Sequence, residues 1–502
     1  MKITMNEIKG RKVVVIGAGF CGLSSAALLA KEGFDVTVLE RNDGPGGRAM
    51  VWKKEGYTFD MGPSWYMMLE AFDNLFGQFG KKPEDYYETI RLDPHYRVFF
   101  SENESLDIMD DMNKNFELFD TFEKDGGKKF KKFIESSQEM YDIAVNKFLY
   151  RDYWSVRDLL DKTLIIDGLK LHIFKKLNKF TKNFFDSDKA RKIVQYHVAF
   201  VGASPPTSPA VYSMLAHVDM NLGIWYPMGG FGSIADGIMK LAIEQGAKIE
   251  FNTEVLKIEI KDKKATKIIT NKGELEADII LNTGDYHHGE MELLDKKHRS
   301  YPKKYWEKKM IAPSAFLIYL GLNKKLNNFL HHNFYFNSDW DKYFDQLFDN
   351  PEWPDDPSIY ITVPSKSDPS LVPPGKELMT ILVLVSPNLE DKESHREPYF
   401  DKIIQKVENI TGESFKDSIE VKRIVAHEHF KNTFNAYKGT ALGLAHTLFQ
   451  TALFRPHHKS DKVKNLYYAG HYTHPGVGVP VTIISAQLAY EKILDDVKKD
   501  LV

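Results

Sequence analysis

The 502-residue sequence has very little cysteine and almost no excess of either charge. Its one cysteine, Cys21, excludes an intramolecular disulfide and favours a reducing compartment. The formal net charge of -3 gives no sign of a nucleic-acid-binding surface. The sequence also has no internal repeat and no low-complexity linker, and 43% of its residues are hydrophobic. This composition excludes a disordered, collagen-like or disulfide-scaffold protein and predicts two or three structural units around a large core.

A single long apolar run, residues 13–30, lies just after three basic residues near the N-terminus. Its length and position resemble a signal peptide or a transmembrane helix. Three glycines interrupt the run, however, and a second apolar stretch follows at residues 34–39. This pattern is typical of a buried strand, a glycine turn and a helix that packs back on a sheet. We therefore expect any membrane contact to be peripheral.

A glycine-rich motif follows the first predicted strand, residues 12–16. The segment GAGFCG at 17–22 matches G-x-G-x-x-G at the start of a helix. In such a motif Gly17 permits the tight turn, Gly19 lets the backbone approach a diphosphate, and Gly22 lets the helix pack against the strand. A second strand leads to Glu40, whose carboxylate can accept hydrogen bonds from ribose hydroxyls. The pattern predicts a dinucleotide site but does not choose between NAD and FAD.

A second glycine-rich stretch distinguishes the two cofactors. ERNDGPGGRA occupies residues 40–49, and GYTFDMGPS occupies residues 56–64. Alone, these segments predict only a turn and a β-hairpin. Together with the first motif they resemble the FAD-dependent phytoene desaturase family of bacterial carotenoid synthesis, in the flavin amine oxidase superfamily. The resemblance implies FAD as the cofactor, with the Arg48 cation near its diphosphate or the flavin edge.

The resemblance extends over nearly the whole chain. It includes VGASP at 201–205, GIWYPMGG at 223–230, EVLKI at 254–258 and NLYYAGHYTHPGVGVP at 465–480. His471 stands where many flavin oxidoreductases have an acidic residue, which favours the carotenoid branch over amine oxidases. Met228 and Tyr472 also depart from the common family residues. Both departures are expected to affect which substrate is handled.

The resemblance implies a set of FAD-contacting residues in the two glycine-rich stretches, the strand at 254–258 and the C-terminal segment. They are Gly17, Ala18, Gly19, Gly22, Glu40, Arg41, Gly47, Arg48, Gly62, Pro63, Ser64, Trp65, Val255, Gly470, Val479, Pro480, Val481 and Thr482. Within this set, a strand is expected to bring Gly470 to the cofactor. Pro480 is expected to start a helix whose N-terminus faces the flavin pyrimidine and stabilises developing negative charge there.

The expected fold class is α/β, with a discontinuous Rossmann-like FAD-binding domain formed by residues 1–75, 220–290 and 420–502. An inserted α+β substrate domain is expected at 76–110 and 291–419, with strands at 315–320 and 379–385. Residues 111–219 are expected to form a helical subdomain that faces the substrate and the membrane.

Residues 169–185, LKLHIFKKLNKFTKNFF, predict a basic amphipathic helix. Such a helix suits an anionic membrane interface, and it equally suits a surface helix that covers the core. Because a polyene substrate resides in the bilayer, both interpretations stay open. The implied location is cytoplasmic, with peripheral attachment to the inner face of the cell membrane.

Candidate catalytic residues are few. Arg157 and Asp158 resemble charged residues of the family proposed to act near the flavin, with Asp158 accepting a proton and Arg157 tuning its pKa. The alternative is an exposed charge pair at a helix start. No metal is expected, because adjacent histidines on a strand point to opposite faces, and His427 and His429 lack an identifiable third ligand. Cys21 is expected to serve in packing.

The resemblance implies a carotenoid desaturase that introduces C=C bonds into an acyclic or monocyclic polyene, such as phytoene or γ-carotene, by hydride transfer to FAD. Oxygen or a quinone would be the electron acceptor. Three alternatives stay open: a polyene saturase or isomerase, an amine oxidase, and a non-enzymatic escort protein for prenylated proteins. Glu40, Gly46, Gly47, Arg48 and Gly470 argue against the escort protein, which does not use flavin.

Overall fold

The structure is a computed structural model that describes residues 8–102, 104–153, 168, 170–336 and 339–502. Its strands in chain order are β1 (Lys12–Ile16), β2 (Asp35–Leu39), β3 (Val51–Lys54), β4 (Tyr57–Asp60), β5 (Thr89–Arg91), β6 (Tyr96–Ser101), β7 (Glu104–Ile108), β8 (Trp225–Pro227), β9 (Lys248–Glu250), β10 (Val255–Lys261), β11 (Lys264–Thr270), β12 (Gly273–Glu276), β13 (Ile279–Asn282), β14 (Ser314–Leu322), β15 (His332–Tyr335), β16 (Ile359–Thr362), β17 (Glu377–Val385), β18 (Ile419–Val425) and β19 (Leu466–Tyr468).

The α-helices in chain order are α1 (Phe20–Lys31), α2 (Leu69–Gly77), α3 (Met112–Phe122), α4 (Gly126–Ala144), α5 (Leu177–Thr181), α6 (Asp188–Gln195), α7 (His197–Phe200), α8 (Met214–Met220), α9 (Phe231–Glu244), α10 (Tyr286–Met291), α11 (Lys303–Glu307), α12 (Trp340–Phe348), α13 (Glu393–Thr411), α14 (His427–Phe434) and α15 (Val479–Lys498).

A five-stranded parallel sheet holds the N-terminal motif. Its order is β19-β13-β1-β2-β9, so strands from three distant parts of the chain lie side by side. The run at residues 13–30 that resembles a signal peptide is β1, a glycine turn and α1, as the sequence predicts. Helix α1 is almost wholly buried and packs against α9 and α15. Since both faces of a parallel sheet are covered, β1 is a continuous apolar run.

A seven-stranded mixed sheet forms a second layer, in the order β18-β14-β17-β16-β15-β6-β7. The strands predicted at 315–320 and 379–385 are present as β14 and β17, which pair antiparallel as the second and third strands of this sheet. Strand β18 belongs to this sheet as well, because it pairs with β14. The expected boundary at residue 420 therefore falls at the start of a strand of the seven-stranded sheet and does not separate the two sheets.

Residues 111–219 contain helices α3 to α8 and no strand in the part that is described. The single amphipathic helix predicted over 169–185 is wrong. Residues 171–175 form turns, in which His172 has a φ of 49°, and only α5 is helical after them. The segment pairs with a neighbouring loop, since the Leu177 amide donates to the Ser208 carbonyl at 2.9 Å. Leu171, Leu177 and Phe180 are buried, and the Phe180 ring lies 6.3 Å from that of Phe133 in α4, so tertiary packing outweighs the helical periodicity of the sequence.

None of the helices within the described ranges combines the length and the apolar composition needed to cross a membrane.

Candidate cofactor and substrate site

A cavity of about 730 Å³ lies between the two large sheets and the helices of residues 111–219. One part, the glycine-rich end, is bounded by the turns around Gly17 and Gly47, by Glu40 and Arg48, and by the segment from Gly470 to Thr482. The other part, the aromatic end, is bounded by Tyr196, Phe200, Leu317, Tyr360 and Leu382. The exposed surface of the whole cavity is mostly apolar. The cavity thus joins a polar turn to an apolar chamber.

The first glycine turn leaves no room for side chains. Gly17 has a φ of 102°, and its amide donates to the Leu39 carbonyl at 2.8 Å. A Cβ at Gly22 would lie 1.9 Å from the Gly17 carbonyl oxygen, and a Cβ at Gly47 would lie 3.2 Å from the Gly19 Cα. Gly19 precedes α1, whose first residues line the cavity. The backbone therefore presents unpaired N–H groups to an anion in the cavity.

Glu40 directly follows β2, and its side chain bonds to the backbone of the first glycine turn. Its side chain is buried, and Oε2 accepts a hydrogen bond from the Ala18 amide at 2.8 Å while Oε1 accepts one from the Asn42 amide at 2.8 Å. Asn42 Nδ2 also donates to Oε1 at 2.8 Å, so Oε1 already accepts two hydrogen bonds, and the second lone pair of Oε2 is left for a ribose hydroxyl. The carboxylate is held rigidly at the cavity wall.

Arg48 lies in a single 3₁₀ turn, Gly47–Ala49, with its guanidinium 5.5 Å from the centre of the Phe434 ring. Nε and Nη2 are buried, and neither finds a hydrogen-bond partner in the described part of the chain. Burial lowers the pKa of Arg48, and nearby Asp285 and Tyr472 partly oppose this shift. A buried cation with unsatisfied donors is costly in an empty protein and suits a bound diphosphate.

The C-terminal segment approaches the same cavity. Strand β19 leads to Gly470, which has a φ of 112° and donates its amide hydrogen to Ser485 Oγ at 3.0 Å. Helix α15 then begins at Val479 with Pro480 in its first turn, and residues 479–482 all line the cavity. Both features are those that the sequence predicts. The positive end of the helix dipole is therefore directed at the cavity.

Gly470 is also held by a chain of hydrogen bonds that sequence reasoning missed. His458 lies 3.0 Å from Asp152 through Nδ1 and 3.1 Å from Ser485 through Nε2. Burial raises the pKa of Asp152, but His458, the Tyr153 amide and His474 together outweigh burial and bring that pKa down to about 2. No sequence spacing links these residues, because they meet only in the folded chain. The chain of hydrogen bonds orients the turn at Gly470.

The FAD-contact set predicted from the sequence is brought together around this cavity, with two exceptions. Ala18 and Gly22 do not line the cavity. The Ala18 amide donates to Glu40, and Gly22 lets α1 pack closely against the turn at Gly17. Val255 starts β10 and lines the cavity, and Arg41 donates to Asn435 Oδ1 at 2.5 Å. Arg157 and Asp158 lie outside the described residues.

The aromatic end contains most of the residues that sequence reasoning missed. Trp65 connects the two ends, since its ring stacks on His332 at 4.7 Å and lies 6.0 Å from Tyr360. Phe200 approaches Tyr360 edge-on at 5.9 Å. Ala315 and Leu317 lie on the cavity face of β14, but this strand is buried at every position, so the sequence gives no alternation that would have identified this wall. The arrangement suits a long apolar ligand.

The histidine pairs and Cys21 make no metal or nucleophilic site within the described ranges, where no group of three His, Cys, Asp or Glu side chains has the arrangement of a metal site. His427 and His429 lie on helix α14, not on a strand, and His427 Nε2 bonds to the Ser386 carbonyl at 2.8 Å. Burial raises the pKa of Cys21, which keeps the thiol protonated.

Comparison with known proteins matches residues 20–494 to the family described as flavin containing amine oxidoreductase. A carotenoid 3,4-desaturase of Haloarcula japonica is 40% identical over 98% of this chain and 100% of its own length. A zeta-carotene-forming phytoene desaturase of Myxococcus xanthus is 31% identical over 97% of this chain and 94% of its own. An oxidoreductase structure from Methanosarcina mazei has the same fold, with a TM-score of 0.64 at 17% identity, covering 96% of this chain and 100% of that one.

Proposed function

The chain belongs to the carotenoid desaturases of the flavin-containing amine oxidoreductase family, and we propose that it introduces C=C bonds into an acyclic or monocyclic carotenoid. Its cofactor is FAD, and it is an FAD-dependent oxidoreductase. The observation that carries the proposal is the single cavity of about 730 Å³ in which the glycine-rich end opens into the aromatic end. Such a cavity holds a dinucleotide and an apolar chain in contact.

The residues of the glycine-rich end fit FAD. We assign the diphosphate to the N-terminus of α1 and to the unpartnered Nε and Nη2 of Arg48. We assign the ribose to Glu40, the adenine to the strand at Val255, and the flavin ring to the segment that begins at Gly470 and to the N-terminus of α15. When bound, FAD supplies the two-electron acceptor that takes a hydride from the polyene.

The aromatic end provides positioning and exclusion of water. A hydrocarbon polyene has no hydrogen-bonding groups, so the shape of the wall formed by Tyr196, Phe200 and Tyr360 selects which carbons lie beside the cofactor. Arg157 and Asp158 are proposed to assist proton loss from the neighbouring carbon. Asp152, which precedes Arg157 by five residues in the sequence, belongs to the hydrogen-bonded chain at Gly470.

We propose that the division of the chain into an FAD-binding domain, a substrate domain and a helical subdomain follows the sheets. Every strand of the five-stranded sheet falls within 1–75, 220–290 or 420–502. Because β18 pairs with β14, the last FAD-binding segment is better begun after Val425.

We also propose peripheral attachment to the inner face of the cell membrane, with oxygen or a quinone as the electron acceptor. Phe174 and Phe449 are 77% and 70% exposed, and both belong to loops whose neighbouring residues line the cavity. Phe454, in the second loop, is itself exposed and lines the cavity. Exposed aromatic side chains beside a cavity opening suit the headgroup region of a bilayer. An apolar substrate would then enter without crossing water.

The attachment is tested by sedimentation with vesicles that contain phosphatidylglycerol. Phe449→Ser should weaken vesicle binding about fivefold, because one partly inserted aromatic side chain is lost. Leu256→Ser is the matched control, since Leu256 is 50% exposed and does not line the cavity. Equal binding by both variants and the unmodified protein would exclude this surface as the attachment site.

Expression in cells that accumulate phytoene, lycopene or γ-carotene tests the activity. Desaturation should shift polyene absorption to longer wavelength and remove two hydrogens for each new double bond. The purified protein should show a flavin absorption spectrum. A protein that cannot be reconstituted with FAD, or that leaves the mass of all three polyenes unchanged, would contradict the proposal.

A further inference from the structure

A hydrogen-bonded pair, Tyr212 and His446, lies in the wall of the cavity, and the proposed function does not use it. Tyr212 belongs to a short 3₁₀ helix, Ala210–Ser213, and its side chain is half-buried because part of it faces the cavity. His446 lies in the loop between α14 and β19, and its Nδ1 is 2.5 Å from the Tyr212 hydroxyl oxygen. The pair joins the helical part of the chain to the segment that precedes α15.

The backbone decides where the hydrogens of this pair lie. The Val477 amide is 3.1 Å from His446 Nε2, and a backbone amide is always a donor. Nε2 must therefore accept, which leaves the one hydrogen of a neutral imidazole on Nδ1. Nδ1 then donates to the Tyr212 oxygen. The tyrosine hydroxyl hydrogen must point away from His446.

Two further observations support this arrangement. Burial, and then the Arg455 cation, hold the pKa of His446 well below its usual range, so the ring is neutral. Burial raises the pKa of Tyr212, so the hydroxyl keeps its hydrogen. Across the described ranges, His446 is the one hydrogen-bond partner of the Tyr212 hydroxyl, and as the donor of that bond it leaves the hydroxyl hydrogen without an acceptor. Its hydrogen is therefore a free donor at the cavity wall.

Much of the cavity wall beside this donor is apolar, and the charged group that acts on the pKa of Tyr212, Arg455, can donate but not accept a hydrogen bond. Val211, Met214 and Leu215 line the cavity from the same segment as Tyr212. Leu442 and Leu448 line it from the segment that contains His446. A directed donor in an apolar wall costs free energy unless a ligand oxygen meets it. A hydrocarbon alone would leave the hydroxyl without an acceptor.

We infer that the Tyr212 hydroxyl binds an oxygen atom on an otherwise apolar ligand, with His446 as the positioning residue that orients it. The inference rests on the proposed function for the identity of the cavity. Two sources carry this chemistry: a hydroxyl or carbonyl group on the polyene, and a carbonyl oxygen of a quinone electron acceptor. Either ligand would accept the tyrosine hydrogen and place its apolar part along the wall.

Equilibrium binding to the FAD-loaded enzyme tests the inference and separates the sources. The probes are lycopene, its monohydroxylated counterpart, and a menaquinone with a short side chain, each titrated by quenching of protein fluorescence. Tyr212→Phe should weaken binding of one oxygen-bearing probe about threefold to tenfold, the worth of one hydrogen bond, and leave lycopene unchanged. The probe that loses affinity identifies the ligand class.

Tyr141→Phe is the matched control. Tyr141 also lines the cavity, but its hydroxyl already donates to Glu70. This variant should not change the ratio of affinities for hydroxylated polyene and lycopene. The same loss with Tyr141→Phe as with Tyr212→Phe, an equal loss for all three probes, or no loss for any of them would overturn the inference.

Two replacements of His446 separate orientation from packing. Asn places a donor near the position of Nδ1, whereas Gln places an acceptor near that of Nε2. His446→Asn should therefore retain the preference for the oxygen-bearing probe, and His446→Gln should lose it. Equal behaviour of the two variants would overturn the positioning role.

The outcome also separates this inference from the proposed function. An enzyme that binds FAD and lycopene but makes no distinction among the probes would overturn the role of Tyr212 alone. A protein that binds neither FAD nor any polyene would overturn the proposed function itself.

Discussion

The two ends of the cavity differ in the interactions with which each can bind a ligand. The glycine-rich end tolerates little change. A Cβ at Gly22 would lie 1.9 Å from a carbonyl oxygen, and two buried guanidinium nitrogens of Arg48 have no hydrogen-bond partner among the described residues. The aromatic end consists of packed rings, with Tyr360 6.0 Å from Trp65 and 5.9 Å from Phe200, which together form an apolar wall. Recognition of a dinucleotide requires placed charges and backbone donors, whereas recognition of a hydrocarbon requires only volume.

Because of this difference, we expect substitutions at the two ends to affect different properties of the enzyme. A change at the glycine-rich end should remove the cofactor and with it all activity. A change at the aromatic end should redistribute activity among substrates while the cofactor stays bound. Four predictions test or refine this comparison.

The largest effect is expected from Gly22→Val. The new side chain would collide with the Gly17 carbonyl and with Thr283 Oγ1, so α1 must move away from the turn. Overpacking of this kind should lower FAD affinity about 10- to 100-fold. Flavin absorbance per mole of purified protein measures the loss. Gly44→Ala is the control, because a Cβ at Gly44 meets nothing within 4 Å. Full flavin content in Gly22→Val would contradict the packing role.

Arg48→Met should separate cofactor affinity from protein stability. The variant would lose the charge-assisted hydrogen bonds that we propose between Arg48 and the diphosphate, so FAD affinity should fall about tenfold or more. The FAD-free protein should become more stable, because a buried unpaired cation is replaced by an apolar side chain of similar volume. Titration with FAD and thermal unfolding of the FAD-free protein measure the two effects. A drop in both quantities would mean that Arg48 has partners in the FAD-free fold.

Phe200→Ala should change substrate choice without changing FAD content. Phe200 lines both the main cavity and a small neighbouring cavity of about 30 Å³, as do Tyr196, Tyr360 and Leu382, so its truncation should enlarge the space at this end. The ratio of kcat/KM for a longer over a shorter polyene should rise about fivefold to tenfold. Phe122→Ala is the control, since this half-buried ring lines neither cavity. An unchanged ratio would show that the aromatic end does not determine the preference for polyene chain length.

The smallest effect concerns pH. Burial lowers the pKa of His474 from its ordinary 6.5 to about 4. Because the unfolded chain binds the proton more tightly than the folded protein, stability falls as the pH drops from about 6.5 towards 4. His474→Gln should make this fall less steep, as measured by denaturant unfolding followed with tryptophan fluorescence. His395→Gln, at an exposed histidine, should leave the slope as it is. The same slope in all three proteins would exclude His474 as a contributor.

Much of the glycine-rich end was predictable because its chemistry is local. Gly17 to Gly22 and Glu40 belong to one strand-turn-helix-strand unit, whose spacing follows from the approach of a backbone to a diphosphate. Helix α15 was predictable for the same reason, since Pro480 marks its first turn. The helix predicted over 169–185 failed because Leu177 pairs with the loop at Ser208, a contact that no local period encodes.

The sequence by itself determined the cofactor turn, the family and the apolar character of the ligand. Each of these depends on residue types at short spacing. Only the tertiary structure decided that Asp152 reaches Gly470 through His458 and that Tyr212 meets His446, 234 residues away. The physical reason is that a hydrogen bond depends on the positions of two atoms, and the positions of distant residues follow from the packing of whole sheets and helices.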